Sequence, residues 1–335
     1  MSKIFWNSPK FGNKELALVK EVLDAGYVSE GPKTKELEEK LAKIIGCKHV
    51  IMTTSCTAAL YLALEADKQI RGYSYGEVII PDLTFVATKN AVEFAGLMER
   101  CIDTNVPFKV NNAKALIQVN ILGRDTSNGI DIEELVNNEI TLICDNAGAL
   151  GSDVPIGKVG CYSLQGNKIV SCGQGGFCAT NDDEYSKVIR EQKDFGRNMK
   201  EDNDTTGFNF KFNDILAAVT LGQLEQLEHR KHLLQFQYAM YRHKLEKYGK
   251  FIDFKPTEIP LWIEFGCKNK KERDDLYKHL KVNDINCRFP WISITKLPNS
   301  FNYSETFIWL PNGPTFTVEE QNEVIKHIVG FYETR

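Results

Sequence analysis

Apolar residues return along the chain with two different spacings. Short runs rich in β-branched residues predict strands, and stretches in which apolar residues recur every three or four positions predict helices. The predicted strands lie at 49–54, 77–81, 99–102, 115–120, 141–146, 161–164 and 175–180. The predicted helices lie at 13–26, 35–45, 58–66, 84–96, 130–138, 182–193 and 213–247. Because strands that are buried on both faces read as continuous apolar runs, this alternation predicts an α/β fold whose mostly parallel sheet is covered by helices.

The regular alternation stops after about residue 250. One further strand is predicted at 261–266, and helices are predicted at 271–283 and 317–332. A change from regular alternation to a few mixed elements indicates a second unit of α+β type. We therefore expect a large domain at 1–235 and a smaller C-terminal domain at 236–335, in line with the length of 335 residues.

Composition and charge exclude several classes of protein. The chain has 41 Lys and Arg against 45 Asp and Glu, a net charge of −4, which is too balanced for a general binder of nucleic acid or of anionic membranes. Hydrophobic residues make up 42% and charged residues 26%, as in ordinary globular proteins. No apolar stretch approaches the ~18 residues of a membrane helix, and the first residues lack the apolar core of a signal peptide, so we expect neither.

The nine cysteines indicate a reducing environment. Their number is odd, no two are spaced as Cys-x-x-Cys, and several, such as Cys101, Cys144 and Cys161, lie in apolar strand-like runs. We expect reduced core residues of a cytoplasmic protein, with no disulfides and no zinc or other metal site.

Polar side chains suited to binding or catalysis follow two of the predicted strands. Ligands of open α/β sheets bind at the carboxyl ends of the strands. Ser55, Cys56 and Thr57 come between a strand and a helix, where hydroxyl groups and free backbone amides form a phosphate site; helix capping by Ser55 or Thr57 is the alternative. Asp145 ends another strand, where a carboxylate can bind a cation, pair with a protonated ring nitrogen or cap a turn.

Lys168 lies in a loop after the strand that ends at Ser163. A lysine held there among small residues is a candidate Schiff-base nucleophile, because burial and nearby cations lower the pKa of its amine. A solvated surface charge is the alternative. The glycines that follow, Gly173, Gly175 and Gly176, do not match Gly-x-Gly-x-x-Gly and do not begin a helix, so they form no dinucleotide fingerprint.

Helix caps are predicted at the starts of two helices. Thr34 is the predicted N-cap of the helix at 35–45, and Asn213 or Asp214 is the predicted cap of the helix that follows the polar, aromatic turn at 207–212. The apolar stripe of that second helix is typical of core or dimer packing rather than of a cofactor site.

Five sequence blocks, in one order, carry a resemblance to a known family. They are YVSEGPKTKELEEKLAKIIGCKHVIMTTSCTAALYLAL, IIPDLTFVATKNAVEFAG, CDNAGALGS, YSLQGNKIVSCGQGG and GFNFKFNDILAAVTLGQLEQL, with WLPNGPTFTVEE following near the C-terminus. In these blocks the chain resembles the DegT/DnrJ/EryC1/StrS family of sugar aminotransferases, which use pyridoxal 5′-phosphate (PLP). The resemblance implies a fold-type-I PLP enzyme, like aspartate aminotransferase, that forms a homodimer.

The resemblance also implies roles for individual residues. Lys168 matches the lysine that forms the internal aldimine, and Asp145 matches the acid that pairs with the pyridine nitrogen, so that the ring stays protonated and can take up electrons. Ser163 and the turn at 55–57 match the phosphate cradle. Phe85 matches an aromatic residue that lies against the ring, with an ordinary core phenylalanine as the alternative. Asn209 matches an asparagine that reaches the phosphate of the neighbouring subunit, which implies shared active sites.

The chain also departs from the family pattern. Lys211 stands where relatives often have Arg. Gly148, Gln174 and Asn120 stand where other residues are frequent in relatives. None of these substitutions removes the PLP chemistry. Lys168 is retained where some relatives carry histidine and act as deoxysugar dehydratases, and its retention favours transamination.

The implied reaction moves the amino group of glutamate onto a nucleotide-linked sugar. The block PDLTFVATKNAV is most similar to 4-aminotransferases that act on nucleotide-linked 4-keto-6-deoxyhexoses in perosamine- or viosamine-type synthesis, as for lipopolysaccharide O-antigen. Open alternatives are a 3-aminotransferase acting on a nucleotide-linked 3-keto sugar, a PLP-dependent deoxysugar dehydratase, and a PLP-binding regulator without turnover. Trp291, Phe301 and Tyr303 are candidates for nucleotide binding, with core or loop packing as the alternative.

Overall fold

The structure, a computed structural model, describes residues 3–127, 129–198, 200, 202 and 205–334. Its helices are α1 (Asn13–Ala25), α2 (Pro32–Ile45), α3 (Cys56–Arg71), α4 (Val86–Phe94), α5 (Ile132–Asn137), α6 (Asp183–Lys193), α7 (Asp214–Leu224), α8 (Leu227–Leu245), α9 (Lys270–Val282), α10 (Pro298–Thr306) and α11 (Val318–Glu333). Its strands are β1 (His49–Thr53), β2 (Glu77–Pro81), β3 (Met98–Ile102), β4 (Ala113–Val119), β5 (Thr141–Asp145), β6 (Val159–Ser163), β7 (Gly176–Thr180), β8 (Ile263–Gly266) and β9 (Phe307–Leu310).

The large sheet has the strand order β1-β7-β6-β5-β4-β2-β3. Neighbouring strands are parallel except where β7 pairs with β1 and β6, so β7 alone runs in the opposite direction. The prediction of an α/β fold with a mostly parallel sheet is confirmed. Because the other strands share one direction, their carboxyl ends meet at one edge. The reversed strand brings its first residue to the same edge, where Gly176 pairs with Thr53 and Ser163.

Helices cover both faces of this sheet, as the side-chain alternation along β1 illustrates. Ile51 points into the core under α3, α4 and α6, whereas Val50 and Met52 point into the core under α2 and α7. Strands that are buried on both faces in this way read as uninterrupted apolar runs, which is why the sequence pattern found them.

The C-terminal part builds a smaller core around the antiparallel pair β8 and β9. The strand predicted at 261–266 and the helices predicted at 271–283 and 317–332 are present there. The short strand β9 and the helix α10 were not predicted. The expected domain boundary at 235–236 falls inside α8, which contributes Leu234 to the large core and Tyr241 to the small one. The boundary therefore stays a prediction.

Two predictions about helix ends were wrong. The helix predicted at 213–247 is two helices, α7 and α8, with a break after Leu224, and Asn213 caps the first by accepting the Leu216 N–H at 2.9 Å. The second error concerns α2, which begins at Pro32 and is not capped by Thr34.

A distant carboxylate caps α2 in place of a local hydroxyl group. Asp214, the first residue of α7, accepts the N–H groups of Gly31, Lys33 and Thr34, each at 2.9 Å, and the Thr34 hydroxyl at 2.7 Å. The negative charge lies where the N–H groups of a helix start have no partner within the helix. Asp214 thereby fastens α2 to α7 across one face of the sheet.

No helix in the described ranges has both the length and the apolar character that crossing a membrane requires. All nine cysteines are free, and six of them are buried.

We predict that Asp214→Asn lowers the free energy of unfolding by about 2 kcal/mol, because an amide nitrogen then faces N–H groups that need an acceptor. Urea unfolding measures the change. Asp24→Asn is the matched control, since its exposed pair with Lys20 is worth less than about 1 kcal/mol. Equal losses in both variants would show that the Asp214 carboxylate does not anchor α2.

Candidate active site

A cavity of about 330 Å³ opens at the edge where the carboxyl ends of the strands meet. Residues that follow β1, β2, β4, β5 and β6 line it, together with Trp262 and Trp291 from the C-terminal part. The site residues proposed from the sequence converge here with one exception. The cavity is lined by Ser55, Cys56, Thr57, Phe85, Asp145, Ser163 and Lys168, and Asn209 is not among its lining residues.

Asp145 presents a buried carboxyl group to this cavity from the end of β5. Thr88 donates its hydroxyl to Oδ2 at 2.8 Å, and the Ala147 N–H donates to Oδ1 at 3.1 Å. The Cys56 thiol lies 3.8 Å from Oδ1. Burial raises the pKa of the Asp145 carboxyl, and the hydrogen bonds from Thr88 and Ala147 oppose that rise. The group is therefore held by neutral donors and would gain from a cation that came into contact with it.

Lys168 reaches the same cavity from the loop between β6 and β7. Its backbone N–H donates to the Gln165 carbonyl at 2.9 Å, and its Nζ lies 5.0 Å from the centre of the Trp262 ring. Part of the side chain is accessible through the cavity, but the protein surrounds the rest. Desolvation lowers the pKa of the Lys168 amine, and the nearby Cys56 and Asp145 oppose that fall. A lysine with a lowered pKa supplies the free amine that attacks carbonyl carbons. The surface-charge alternative does not describe this residue.

The turn between β1 and α3 has the geometry of an anion cradle. Ser55 caps α3, since its Oγ accepts the Ala58 N–H at 3.1 Å. The first N–H groups of the helix, from Cys56 and Thr57, have no partner within it and are suited to a phosphate. Gly176 closes the cradle from β7, and a Cβ atom there would lie 2.3 Å from the Cys56 nitrogen.

Aromatic rings form one side of the cavity. Phe85 precedes α4 and is 52% exposed, so it is not an ordinary core residue. Its ring centre lies 5.8 Å from that of Trp291, which in turn lies 5.9 Å from Trp262. We call Phe85, Trp262 and Trp291 the aromatic wall.

Asn209 is exposed and lies outside the cavity of its own chain, in a segment that bridges to Asp194. Lys211 follows it and pairs with the same Asp194 at 2.6 Å. A single chain does not test whether Asn209 reaches a neighbouring subunit, so that role stays a prediction.

Several residues of the site were missed by the sequence reasoning. Thr88 lies one helical turn after Thr84 in the block TFVAT, a spacing that can place both hydroxyl groups on one face. A chain of amides from Gln118 through Asn120 to Asn146, with bonds of 2.7 and 2.6 Å, lies beside Asp145. Trp262 had no local signal, because it enters from a distant part of the chain.

The arrangement fits the parts of PLP one by one. The buried Asp145 carboxyl is suited to a protonated ring nitrogen, and the Lys168 amine has no hydrogen-bond acceptor among the described residues and is suited to an aldehyde. The turn at 55–57, which tolerates no side chain at Gly176, is suited to the phosphate. Across the described ranges, no group of three or more His, Cys, Asp or Glu residues is arranged to hold a metal ion.

Known proteins resemble this chain in sequence and in fold. Residues 9–329 match the model of the DegT/DnrJ/EryC1/StrS aminotransferase family. A DegT DnrJ EryC1 StrS aminotransferase from Brucella abortus is 25% identical, with a TM-score of 0.86 over 95% of each chain. The putative sugar aminotransferase Spr1654 from Streptococcus pneumoniae, solved in its PLP form, is 19% identical, with a TM-score of 0.89 over 99% of each chain. DesI, solved with its TDP-sugar product, is 20% identical, with a TM-score of 0.89 over 100% of this chain and 94% of DesI.

We predict that Gly176→Ala weakens PLP binding by about tenfold or more and lowers the unfolding temperature, because the new Cβ would collide with backbone atoms of Ser55 and Cys56. Gly166→Ala is the matched control, since a Cβ at that position meets nothing within 4 Å. Absorbance titration of the apoprotein with PLP and thermal unfolding measure the two effects. PLP binding as tight as in the control variant would show that the turn at 55–57 does not bind the phosphate.

Proposed function

The chain belongs to the DegT/DnrJ/EryC1/StrS aminotransferase family, whose members depend on PLP, and from this we propose that it transfers the amino group of glutamate to a nucleotide-linked 4-keto-6-deoxyhexose. The observation that carries the proposal is the placement of the Lys168 amine and the Asp145 carboxyl in one cavity. Desolvation lowers the pKa of the Lys168 amine and burial raises the pKa of the Asp145 carboxyl, so each group is biased toward its neutral form.

The side chains of the site divide the work of holding the cofactor. Bound PLP withdraws electrons from the α-carbon of an amino acid, so that the proton on that carbon can be moved. Asp145, oriented by Thr88 and Ala147, would keep the ring nitrogen protonated. The amides of Cys56 and Thr57 and the hydroxyl of Ser163 would bind the phosphate.

Lys168 is the proposed general base and general acid of the reaction. Its Nζ would hold the cofactor in the resting protein and would be a free amine next to the substrate when glutamate is bound there instead. Because desolvation lowers the pKa of this amine, the amine would accept the α-proton of glutamate more readily than an exposed lysine, and it would pass that proton to the bound cofactor within the same half-reaction. In the second half-reaction, when the sugar receives the amino group, it would move a proton in the opposite direction, onto the sugar carbon.

The sugar substrate is supported by likeness rather than by a bound ligand. The family is one of sugar aminotransferases, and the block PDLTFVATKNAV is most similar to members that act at the 4-position. DesI, which shares the fold, was solved with a TDP-sugar product. Lys168 favours transamination over the dehydration that histidine-bearing relatives carry out.

The reaction is tested by supplying both substrates. The purified, PLP-loaded protein is incubated with glutamate and with GDP-, UDP- or dTDP-linked 4-keto-6-deoxyhexoses, or with 3-keto sugars, and NMR locates the new amine. We expect an amine at C4 of one nucleotide sugar. An amine at C3, or release of ammonia without an aminosugar, would replace the proposal by a 3-aminotransferase or a dehydratase. A cofactor absorbance that glutamate leaves unchanged would point to a regulator without turnover.

We predict that Lys168→Ala abolishes turnover and the absorbance band that belongs to PLP linked to the lysine, while the unfolding temperature stays within a few degrees of the wild type because no core packing is lost. Lys187→Ala, an exposed lysine on α6, is the matched control. Turnover of Lys168→Ala at the wild-type rate would disprove the assignment of the site.

The charge of the substrates supports a homodimer with shared sites. The cofactor phosphate and a nucleotide diphosphate are both anionic, yet Lys168 is the one cationic residue among the described residues that line the cavity. Further positive charge for these anions has to come from outside the lining of this cavity. Asn209 and Lys211, which lie outside the cavity of their own chain, are the residues we propose for this role in the partner's site.

Subunit complementation tests the shared site. We predict that Lys168→Ala is inactive and Asn209→Ala impaired on its own, and that mixing the two with subunit exchange restores about a quarter of wild-type activity. Half of the randomly mixed dimers are heterodimers, and in each of these one of two sites is intact. Activity that does not rise above that of the separate variants would place Asn209 in the site of its own chain, or outside any site.

The cysteines support a reducing compartment. Nine cysteines, most of them buried and none in a disulfide, are typical of proteins that stay in the cytoplasm. We include a cytoplasmic location, where glutamate and nucleotide sugars are both present, in the proposal.

A further inference from the structure

One carboxylate fastens a loop of the C-terminal part to the end of β2. Asp82 accepts the Ser293 hydroxyl, the N–H and the hydroxyl of Thr295, both at 2.6 Å, and the Leu297 N–H at 3.0 Å. Its carbonyl also accepts the Ile294 N–H at 2.9 Å. The loop at 293–297 therefore wraps around a residue that lies 211 positions before Ser293.

The Asp82 carboxylate and this loop depend on each other. Asp82 is 0% exposed, and all of its side-chain donors are neutral groups of the one loop. A buried carboxylate is costly unless donors surround it, and the loop has no other carboxylate to fold around. An amide at position 82 does not replace it, because its NH₂ group would face a donor of Thr295 or Leu297.

The loop delivers Trp291 to the cavity. Trp291 stands two residues before Ser293, and its half-buried indole packs on Phe85, Trp262 and Trp309, with ring centres 5.8, 5.9 and 5.3 Å away. Phe85 lies on the large-domain side of this contact. Asp82 and Phe85 are close in sequence, so the start of α4 and the loop are held together at two points.

The lining of the cavity matches the two kinds of surface that a sugar ring presents. The aromatic wall offers apolar faces, and Gln165 and Gln174, which carry amide side chains, are among the residues that line the same cavity. A pyranose carries C–H groups on its faces and hydroxyl groups at its rim, so it can use both at once.

Cavity size indicates where the sugar lies. The volume of about 330 Å³ is near the lower end of the ~300–1,000 Å³ of small-molecule sites, so the cofactor occupies most of it. The hexose then has to lie toward the opening, where Phe85 and Trp291 are partly exposed.

On the premise of the proposed function, we propose that Asp82 is a positioning residue for the sugar half-reaction. By folding the loop at 293–297 around itself it seats Trp291 in the aromatic wall, and the pyranose ring of the nucleotide sugar packs on that indole.

A second carboxylate of the same interface provides the matched control. Asp103 accepts the N–H groups of Asn299 and Ser300, at 2.9 and 2.8 Å, at the start of α10. It fastens the neighbouring stretch of the same segment, which lies further along the chain from Trp291 than the loop at 293–297. Asp103→Asn therefore reports what loosening the interface does by itself.

The experiment compares Asp82→Asn, Trp291→Ala, Trp291→Phe and Asp103→Asn in the PLP-loaded enzyme. The rate at which glutamate alone converts the cofactor is measured by absorbance, and the KM of the keto sugar is measured by turnover. Calorimetry on the same PLP-loaded protein measures the dissociation constants of GDP-mannose, UDP-glucose and dTDP-glucose, which carry neither a keto group nor an amine and so do not react.

We expect Asp82→Asn and Trp291→Ala to raise the sugar KM, and the dissociation constant of the best-binding probe, by about tenfold, as for the loss of an aromatic contact. The glutamate rate should change less than about threefold in the same variants. Trp291→Phe should recover most of the loss, because it restores a ring, and Asp103→Asn should keep the sugar KM near the wild-type value.

Three outcomes would overturn the inference. The first is that Trp291→Ala leaves the sugar KM and the dissociation constant within about twofold of the wild type. This variant keeps the Asp82 contacts, so it remains informative if Asp82→Asn does not fold. The second is an equal rise in Asp82→Asn and Asp103→Asn. The third is that the wild-type enzyme reacts with glutamate but binds none of the three probes. That result would also contradict a nucleotide sugar as the substrate, while the proposed aminotransferase activity would stand. A wild type that does not react with glutamate would instead contradict the proposed function itself.

Discussion

The Asp145 carboxyl and the Lys168 amine share one desolvated cavity without forming a salt bridge, and the surrounding residues hold the two groups in this arrangement. Removal from water disfavours both charged forms, so the pKa of Asp145 is raised and that of Lys168 is lowered. Thr88 and the Ala147 N–H hold the acid, and the loop that begins at Gln165 holds the amine. A ring nitrogen and an aldehyde on one ligand would suit these two groups, which is the basis of the proposed function.

The strand directions explain how these groups come together. Parallel strands bring residues from distant parts of the sequence to one edge, which is why Asp145 and Ser163 end adjacent strands. The reversed strand β7 adds a position without a side chain at that edge, because Gly176 is opposite Thr53 and Ser163. One change of direction thus leaves room for a phosphate beside the first turn of α3.

Most of the fold could be predicted from the sequence, because short-range patterns specify it. The same patterns indicated which residues gather in the cavity, whereas the roles of these residues were implied only by the resemblance to a family. Continuous apolar runs mark the strands, and the residues that end them mark the cavity. Contacts between distant segments could not be predicted in this way. The capping of α2 by Asp214, the grip of Asp82 on the loop at 293–297, and the position of Trp262 beside Lys168 each join residues far apart in the chain. Local propensity favoured Thr34 as a cap, and the tertiary contact with Asp214 overrode it.

The clustering of the tryptophans has an optical consequence. The chain has four of them, and Trp6, Trp262, Trp291 and Trp309 form one group whose ring centres lie 4.8 to 6.2 Å apart in the contacting pairs. Two of the four line the cavity. The tryptophan emission of the protein therefore originates beside this cavity, and a near-visible chromophore bound in the cavity would quench it by energy transfer. Tryptophan fluorescence can therefore measure how much of the cavity is occupied by such a ligand, without an added label.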